Sequence, residues 1–206
     1  FDEKHNIEIS NVLREAGINV GFGVAGLKVH SKLILITRWS GTSEQRIAYI
    51  GTGNFHENSA KVFSDFGFLT ADVEITQEVA NLFSFFNHNY ERPKFKRLVV
   101  SPYETRSAFN KLIRQEMMHA KSGKKGRIIL KFNSLVDPAM IEMLYTASQA
   151  GVKIDLIIRG ICSLAPGIKG RSENIRVRSI VGRDLEHARV LFFANAGNHI
   201  YFISSA

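Results

Sequence analysis

The chain has 206 residues, 45% of them hydrophobic and 22% charged, and it carries a formal net charge of +8. These values are typical of a soluble globular protein with one large or two small domains, and no apolar run approaches the roughly 18 residues of a membrane-spanning helix. The single Cys162 excludes an internal disulfide and fits a reducing, cytoplasmic environment.

The first 91 residues predict two helices separated by strands. Gly17 is expected to end the first helix, because glycine commonly terminates helices. Asp72 is predicted to cap the second helix, whose apolar side chains recur at helical spacing. In chain order, the predicted elements are a helix over 6–16, a strand over 18–22, a buried strand over 33–36, a polar hairpin over 37–46, a strand over 66–69 and a helix over 72–90.

A polar segment around Pro93 is the expected boundary between two units, residues 1–91 and 92–206, because proline breaks helices and linkers are polar. The second unit alternates strands with helices, which favours an α/β fold with mostly parallel pairing inside each unit. Asp137 and Pro138 are typical of a helix start. The predicted elements are a helix over 105–120, a strand over 127–133, a helix over 138–150, and strands over 152–158, 190–193 and 200–203.

The first buried strand carries the earliest candidate site. His30 and Lys32 share a face if they lie in extended chain, because alternate side chains of a strand point the same way. The Gly-Thr-Gly-Asn turn over 51–54 follows and can offer backbone N–H groups and the Asn54 amide to a phosphate. His30 is then a candidate nucleophile and Lys32 a charge clamp. Alone, such a His–Lys pair is more often structural.

A second copy of this pattern lies near the other end of the chain. His187 and Arg189 precede an apolar strand, a polar hairpin and another apolar strand. Upstream, residues 13–20 resemble residues 147–154, since both read as a helix end, a glycine stop and a strand. Repetition of this kind indicates duplicated structure, and it predicts two similar units about a pseudo-twofold axis.

Two His-x-Lys/Arg strands with Gly/Ser-rich turns resemble the phospholipase D-like superfamily. No Asp follows Lys32 at that superfamily's spacing, and Arg189 replaces the second Lys, which argues against a phosphodiesterase. Five motifs in order resemble the bacterial polyphosphate kinase family from end to end, and the chain is similar to a C-terminal fragment of that longer enzyme. The motifs are Lys-Val-His-Ser-Lys over 28–32, Ile-Gly-Thr-Gly-Asn-Phe over 50–55, Leu-Lys-Phe-Asn-Ser-Leu-Val-Asp over 130–137, Ile-Arg-Gly-Ile-Cys-Ser-Leu over 158–164 and Leu-Glu-His-Ala-Arg over 185–189.

The resemblance implies two phospholipase D-like α/β units and an ATP:polyphosphate phosphotransferase. Its activity would be reversible transfer of the ATP γ-phosphate to inorganic polyphosphate through a phosphohistidine. The Mg²⁺ ligands of the family lie outside this chain, so the isolated fragment is expected to be inactive. The implied site residues are His30 as the phosphorylated nucleophile, His187 as acid/base and ATP contact, Phe63 and Arg159 as further ATP contacts, and Lys32, Asn54, Lys131, Asn133 and Arg189 as phosphate contacts. Phe63 departs from the Tyr often found there in the family.

Positive charge is concentrated in residues 92–131, which hold 12 Lys or Arg against 2 acidic residues. Such a segment attracts polyanions, although a solvated basic helix would look the same. Sparse aromatic residues disfavour nucleic acid. The expected partners are ATP, ADP and polyphosphate; the parent protein is expected to be a cytoplasmic homo-oligomer, with peripheral association at the inner membrane left open.

Two other functions remain open on the sequence. One is a phosphodiesterase or phosphatidyltransferase of the phospholipase D-like superfamily. The other is a polyanion-binding module without turnover.

Overall fold

The computed structural model describes residues 3–88, 90 and 92–205. The first part of the chain contains three helices and four strands: α1 (Glu3–Glu15), β1 (Lys32–Ser40), β2 (Ser43–Gly51), α2 (Glu57–Val62), β3 (Phe63–Ser64), β4 (Gly67–Thr70) and α3 (Val73–Asn87). Strands β1, β2 and β4 form an antiparallel sheet in that order. The predicted cap of α3 is confirmed, because the Ile75 amide donates to the Asp72 carboxylate at 2.9 Å.

The strand predicted over 18–22 is wrong, whereas the polar hairpin predicted over 37–46 is confirmed. Residues 18–22 form no strand, and the side chains of Ile18 and Phe22 are 49% and 71% exposed. Residues 37–46 form the distal end of the β1–β2 hairpin, whose strands stay paired from Lys32↔Gly51 to Ser40↔Ser43. The polar residues at this end therefore belong to the paired strands. Only Gly41, with φ +62°, and the residue after it form the turn.

The second part contains α4 (Thr105–Lys121), β5 (Arg127–Phe132), α5 (Pro138–Gln149), β6 (Lys153–Ile158), β7 (Ile175–Arg178), β8 (Leu185–Glu186), β9 (Arg189–Phe193) and β10 (Ile200–Ser204). The five-stranded sheet has the order β10-β9-β5-β6-β7. Parallel pairing is confirmed for β5, β6 and β7, whereas β9 and β10 are antiparallel. The mostly parallel expectation is wrong for the first sheet, whose three strands are joined by antiparallel pairing.

The largest hydrophobic core lies in the second part, where α4 and α5 cover one face of the five-stranded sheet. Ile113 of α4 and Leu144 of α5 pack with Ile128, Leu130 and Leu191 of the sheet, and all five are at most 2% exposed. A smaller cluster packs α3 against the first sheet and includes side chains from segment 95–103. Within the described residues, no helix is both long and apolar enough to cross a membrane.

The internal repeat predicted from sequence is visible in the strand register. Lys32 begins β1 and pairs with Gly51, while Arg189 begins β9 and pairs with Ser204 at the corresponding place. The two parts are also joined directly, because β3 and β8 form a short parallel pair. The Ala188 amide extends this pair by donating to the Ser64 carbonyl at 3.0 Å. This junction brings the loop after β3 next to His187.

Substitution of the buried residue Glu116 is expected to cause a large loss of stability. Glu116 is 1% exposed, and its carboxylate accepts hydrogen bonds from the backbone N–H groups of Arg127, at the start of β5, and Asn195, after β9. We expect Glu116→Ala to lower the free energy of unfolding by about 2–4 kcal/mol, because two backbone donors lose their acceptor. Urea unfolding measures the change.

Glu142 provides the matched control on α5, because its carboxylate is 66% exposed and contacts only Arg171 at 3.3 Å among the ion pairs of the described residues. Exposed ion pairs contribute little to stability. Equal destabilisation by Glu142→Ala and Glu116→Ala would contradict the anchoring role of Glu116.

Candidate functional site

The first His-x-Lys module has a compact local geometry. Lys32 is only 7% exposed, and its ammonium donates to the His30 carbonyl at 2.6 Å. The same Nζ lies 3.0 Å from His30 Nδ1. The His30 ring is therefore held beside a fixed positive charge while the residue stays open to solvent. This confirms the expectation that the two side chains share a face.

The second module repeats this geometry. Arg189 is 7% exposed, its Nη1 donates to the His187 carbonyl at 2.9 Å, and the same atom lies 3.1 Å from His187 Nε2. In both modules, the basic side chain at the first strand residue folds back onto the preceding histidine. Both modules therefore present an imidazole next to a buried cation.

Asp65 belongs to the site although the sequence did not single it out. It lies in the loop between β3 and β4, and its carboxylate is 2.8 Å from His187 Nδ1. Thr52, which is fully buried, donates its hydroxyl to the same carboxylate at 2.6 Å. Asp65 therefore links the turn of the first unit to the histidine of the second. Glu186 turns away from His187, as its position on the strand predicts, and pairs with Lys131 at 3.1 Å.

The Gly-Thr-Gly-Asn turn leaves no room beside Asp65. A Cβ atom at Gly53 would lie 2.4 Å from Asp65 Oδ2, which is far inside van der Waals contact. Thr52 is itself held by two hydrogen bonds, from its N–H to the Phe66 carbonyl and from the Phe66 N–H to its hydroxyl, both at 2.9 Å. Thr52 and Gly53 of the turn thus hold the Asp65 carboxylate in place from two sides.

The predicted nucleotide contacts Phe63 and Arg159 lie at this junction. The Phe63 ring stacks on His187 with a centroid distance of 4.9 Å and an interplanar angle of 30°. Arg159 Nε donates to Asn133 Oδ1 at 2.9 Å, and the charge of Arg159 adds to the effect of burial in lowering the pKa of Arg189. Stacking against an imidazole needs only a ring, so Phe63 satisfies it without a hydroxyl.

The remaining predicted phosphate contacts differ in their placement. The Lys131 ammonium donates to the Ala188 carbonyl at 2.9 Å, so this cation lies beside the second module. Asn54 is exposed on the turn before α2, where its carbonyl accepts from the His56 N–H at 2.9 Å. No contact within the described part of the chain joins the Asn54 side chain to the histidines or their cations, so its role as a phosphate contact remains a prediction.

Positive charge exceeds negative charge at this junction. Burial lowers the pKa of Lys32, the neighbouring Arg189 lowers it further, and Asp65 opposes the shift. Burial and then Arg159 lower the pKa of Arg189 in the same way. Cations that depress each other's pKa gain most from a bound anion, which would relieve their repulsion. The arrangement therefore suits a polyanionic group such as a phosphate.

The pKa of His30 is lowered by burial of its ring and then by Lys32, while a hydrogen bond to the Ser205 backbone opposes the shift. Neutral imidazole consequently persists to lower pH than in an ordinary histidine. We expect Lys32→Gln to raise the pKa of His30, because a nearby positive charge is removed. An NMR titration of the His30 ring measures the change.

Lys28→Gln is the control for this titration, because Lys28 is the weakest of the cations that lower the His30 pKa. Its effect on the pKa should be in the same direction and smaller. A His30 pKa that stays unchanged or falls in Lys32→Gln would contradict the electrostatic coupling.

The site does not fit a metal ion bound by this chain alone. Among the described residues, no group of three or more His, Cys, Asp or Glu side chains could hold one. Of the carboxylates at the junction, Asp65 is already engaged by Thr52 and His187, and Glu186 pairs with Lys131. A divalent cation would also face Lys32 and Arg189, which repel it.

Fold and site together define an α/β protein built from two units, each with a histidine beside a buried cation. Comparison with known families identifies it further: polyphosphate kinase C-terminal domain 1 matches residues 1–92, and polyphosphate kinase C-terminal domain 2 matches residues 98–206. The chain therefore belongs to the polyphosphate kinase family, as its motifs predicted.

Individual relatives agree with this assignment. The chain is 53% identical over its whole length to a polyphosphate kinase of Vibrio parahaemolyticus and 48% identical to one of Neisseria meningitidis serogroup B. It spans 30% of the length of each of these relatives. The crystal structure of polyphosphate kinase from Porphyromonas gingivalis superposes on all of this chain with a TM-score of 0.89 at 43% identity, over 34% of that structure's chain.

Proposed function

We propose that the full-length protein containing this chain is an ATP:polyphosphate phosphotransferase that works through phospho-His30. The observation that carries the proposal is the junction of two His-x-basic modules: Arg189 contacts His187, and it adds to burial and Lys32 in lowering the pKa of His30. Membership of the polyphosphate kinase family supports the substrates ATP and inorganic polyphosphate. Duplication of the module with the same strand register supports two phospholipase D-like units.

In the first half-reaction, a neutral nitrogen of His30 attacks the γ-phosphorus of ATP. The new N–P bond forms as the bond to the bridging oxygen breaks, and ADP leaves with the electron pair. Phosphoryl transfer requires positioning and positive charge around the equatorial oxygens, which Lys32 and Arg189 supply. The lowered pKa of His30 keeps its ring nucleophilic.

His187 is proposed to move the proton that accompanies this transfer. Its Nδ1 lies 2.8 Å from the Asp65 carboxylate, which orients the ring and leaves Nε2 on the side of Arg189. Protonated His187 can donate to the departing ADP oxygen. In the second half-reaction, a terminal hydroxyl of polyphosphate passes its proton to His187 as its oxygen attacks phospho-His30, the N–P bond breaks, and both histidines are regenerated.

Phe63 and Arg159 are proposed to contact the nucleotide, and Lys131 and Asn133 the phosphates. Their support is position, because Phe63 stacks on His187 and Arg159 bonds Asn133 near Arg189. The family implies Mg²⁺, and because the described residues offer no fitting ligand set, no step here is assigned to it. The division into units 1–91 and 92–206 is likewise a proposal: two separate hydrophobic clusters support two units, whereas the packing of segment 95–103 with the first cluster argues for a boundary after that segment.

Several further expectations stay predictions. They are a homo-oligomeric parent, a cytoplasmic location with peripheral membrane association, absence of nucleic-acid binding and inactivity of the isolated fragment.

The assay that tests the proposed function uses the full-length protein with ATP, Mg²⁺ and a polyphosphate primer. We expect ADP release coupled to lengthening of the primer, and ATP formation when ADP and polyphosphate are supplied. A phosphodiester substrate in a parallel reaction should remain intact. Hydrolysis of that ester without ADP formation would favour the phospholipase D-like alternative. No turnover of either substrate would favour a polyanion-binding module without catalytic activity.

A further inference from the structure

The exposed face of α4 carries a row of cations away from the histidine modules. Lys111, Arg114 and Lys121 are all exposed, and their spacing of three and seven residues places them on one side of the helix. Lys124 and Lys125 continue the row in the turn before β5 and are also exposed. These five residues are called the α4 basic stripe. Between Lys111 and Lys121 it extends about 15 Å along the helix axis.

The stripe keeps its charge, whereas neighbouring cations are neutralised. Within residues 3–88, 90 and 92–205, no salt bridge involves any of the five. The one acidic residue within α4, Glu116, is buried on the opposite side. The neighbouring ion pairs are Arg106–Asp137 at 2.6 Å, Arg127–Asp155 at 3.2 Å and Lys131–Glu186 at 3.1 Å.

We propose that the α4 basic stripe is a second binding site for inorganic polyphosphate, separate from the phosphoryl-transfer site, an inference that rests on the proposed function. An unpaired linear row of cations matches the regularly spaced charge of that polymer. The stripe carries no exposed aromatic ring on which a nucleobase could stack. Met118, at 63% exposure, is the one large exposed apolar side chain on α4, so the helix offers no apolar face to a bilayer.

The position of α4 connects the stripe with the site. Its first turn lies near the carboxyl end of β5, because Arg106 bonds Asp137 just beyond that strand. Its last turn leads into the opposite end of β5. Lys131, near the carboxyl end of β5, contacts Ala188 next to His187. The stripe therefore runs from the end of the sheet near His187 towards the opposite end of β5. A long product chain can be held along it.

The test is binding of long-chain inorganic polyphosphate to the full-length protein, without nucleotide, at several salt concentrations. The variant Lys111→Gln/Arg114→Gln/Lys121→Gln keeps good helix formers and removes three charges. The control Lys4→Gln/Arg38→Gln/Lys169→Gln removes three exposed charges elsewhere. We expect the stripe variant to bind about tenfold or more weakly, with the slope of log affinity against log salt reduced by about 2, at roughly 0.7 per phosphate contact.

Two further arms make the result decisive. Inorganic tripolyphosphate is too short to follow the stripe from the transfer site, so the stripe and control variants should bind it equally. The charge-conserving variant Lys111→Arg/Arg114→Lys/Lys121→Arg should restore affinity for the long chain. Because the assay contains no ATP, its result does not depend on a phosphohistidine.

Three outcomes would overturn the proposal. One is equal loss of long-chain affinity in the stripe and control variants. The second is wild-type protein that binds single-stranded DNA more tightly than polyphosphate and loses that affinity in the stripe variant, which would assign the surface to nucleic acid. The third is the same pattern with phosphatidylglycerol vesicles, which would assign it to a membrane.

Discussion

Replacement of His30 by Ala is expected to abolish phosphoryl transfer from ATP to polyphosphate in the full-length protein, with kcat reduced by roughly 10⁴-fold or more. The variant removes the imidazole whose two ring nitrogens lie 3.0 and 3.1 Å from Lys32 Nζ, and alanine offers no nucleophile in its place. Steady-state ADP release with a polyphosphate primer measures the loss.

His5→Ala is the matched control, because His5 is an exposed histidine on α1 in the same unit. Its turnover should equal that of the wild type. A His30→Ala protein that keeps most of its turnover would refute the covalent route and point to direct transfer from ATP to the chain.

Replacement of Asp65 by Asn is expected to lower kcat by roughly 10²–10⁴-fold with the fold intact. Asn removes the carboxylate that faces His187 Nδ1, and its amide can turn an N–H towards Nδ1 and select the wrong tautomer. The pH dependence of kcat should change with it, because the proposed acid/base loses the carboxylate that orients it. This change in the pH profile separates a positioning role from simple loss of structure.

A double-mutant comparison assigns the effect to His187. Because Asp65 acts through this histidine, Asp65→Asn should cost little further activity in a His187→Ala background. Fully additive losses would mean that Asp65 acts elsewhere in the reaction.

Gly53→Ala perturbs the same carboxylate without changing its charge. The added Cβ would lie 2.4 Å from Asp65 Oδ2, so the carboxylate must move, and a displacement of about 1 Å in a positioned group costs on the order of 10²-fold in rate. Gly182→Ala is the control, because a Cβ there meets no atom within 4 Å and its backbone is not left-handed. Unchanged activity in Gly53→Ala would show that the close approach is not needed.

Local signals explain which elements could be predicted. Helices α3 and α5 begin where the sequence places them, because Asp72 and Asp137 accept a hydrogen bond from the amide three residues on. The strand expected over 18–22 fails because apolar residues become strand only when a neighbouring strand pairs with them. The hairpin over 37–46 was predicted from its polar residues, and the pairing of β1 with β2 extends it to Lys32↔Gly51.

Some residues of the site could also be predicted from the sequence, and others could not. His30, Lys32, His187 and Arg189 could be found because spacing along a strand fixes which side chains meet. Asp65 could not, since its contact with His187 depends on the pairing of β3 with β8, two-residue strands that lie far apart in sequence. A strand of two residues has no period to detect. The tight fit of Gly53 against Asp65 follows from the same long-range junction.

The most direct test of the central claim is labelling of the full-length protein with γ-phosphate-labelled ATP and Mg²⁺, in the wild type and in His30→Ala. Phosphohistidine is labile in acid and stable in base, so stability of the label identifies the bond, and peptide mapping locates it. The proposed mechanism predicts an acid-labile, base-stable label on the peptide containing His30 and none in His30→Ala. A wild-type protein that takes up no label, or a label that persists in His30→Ala, would contradict it.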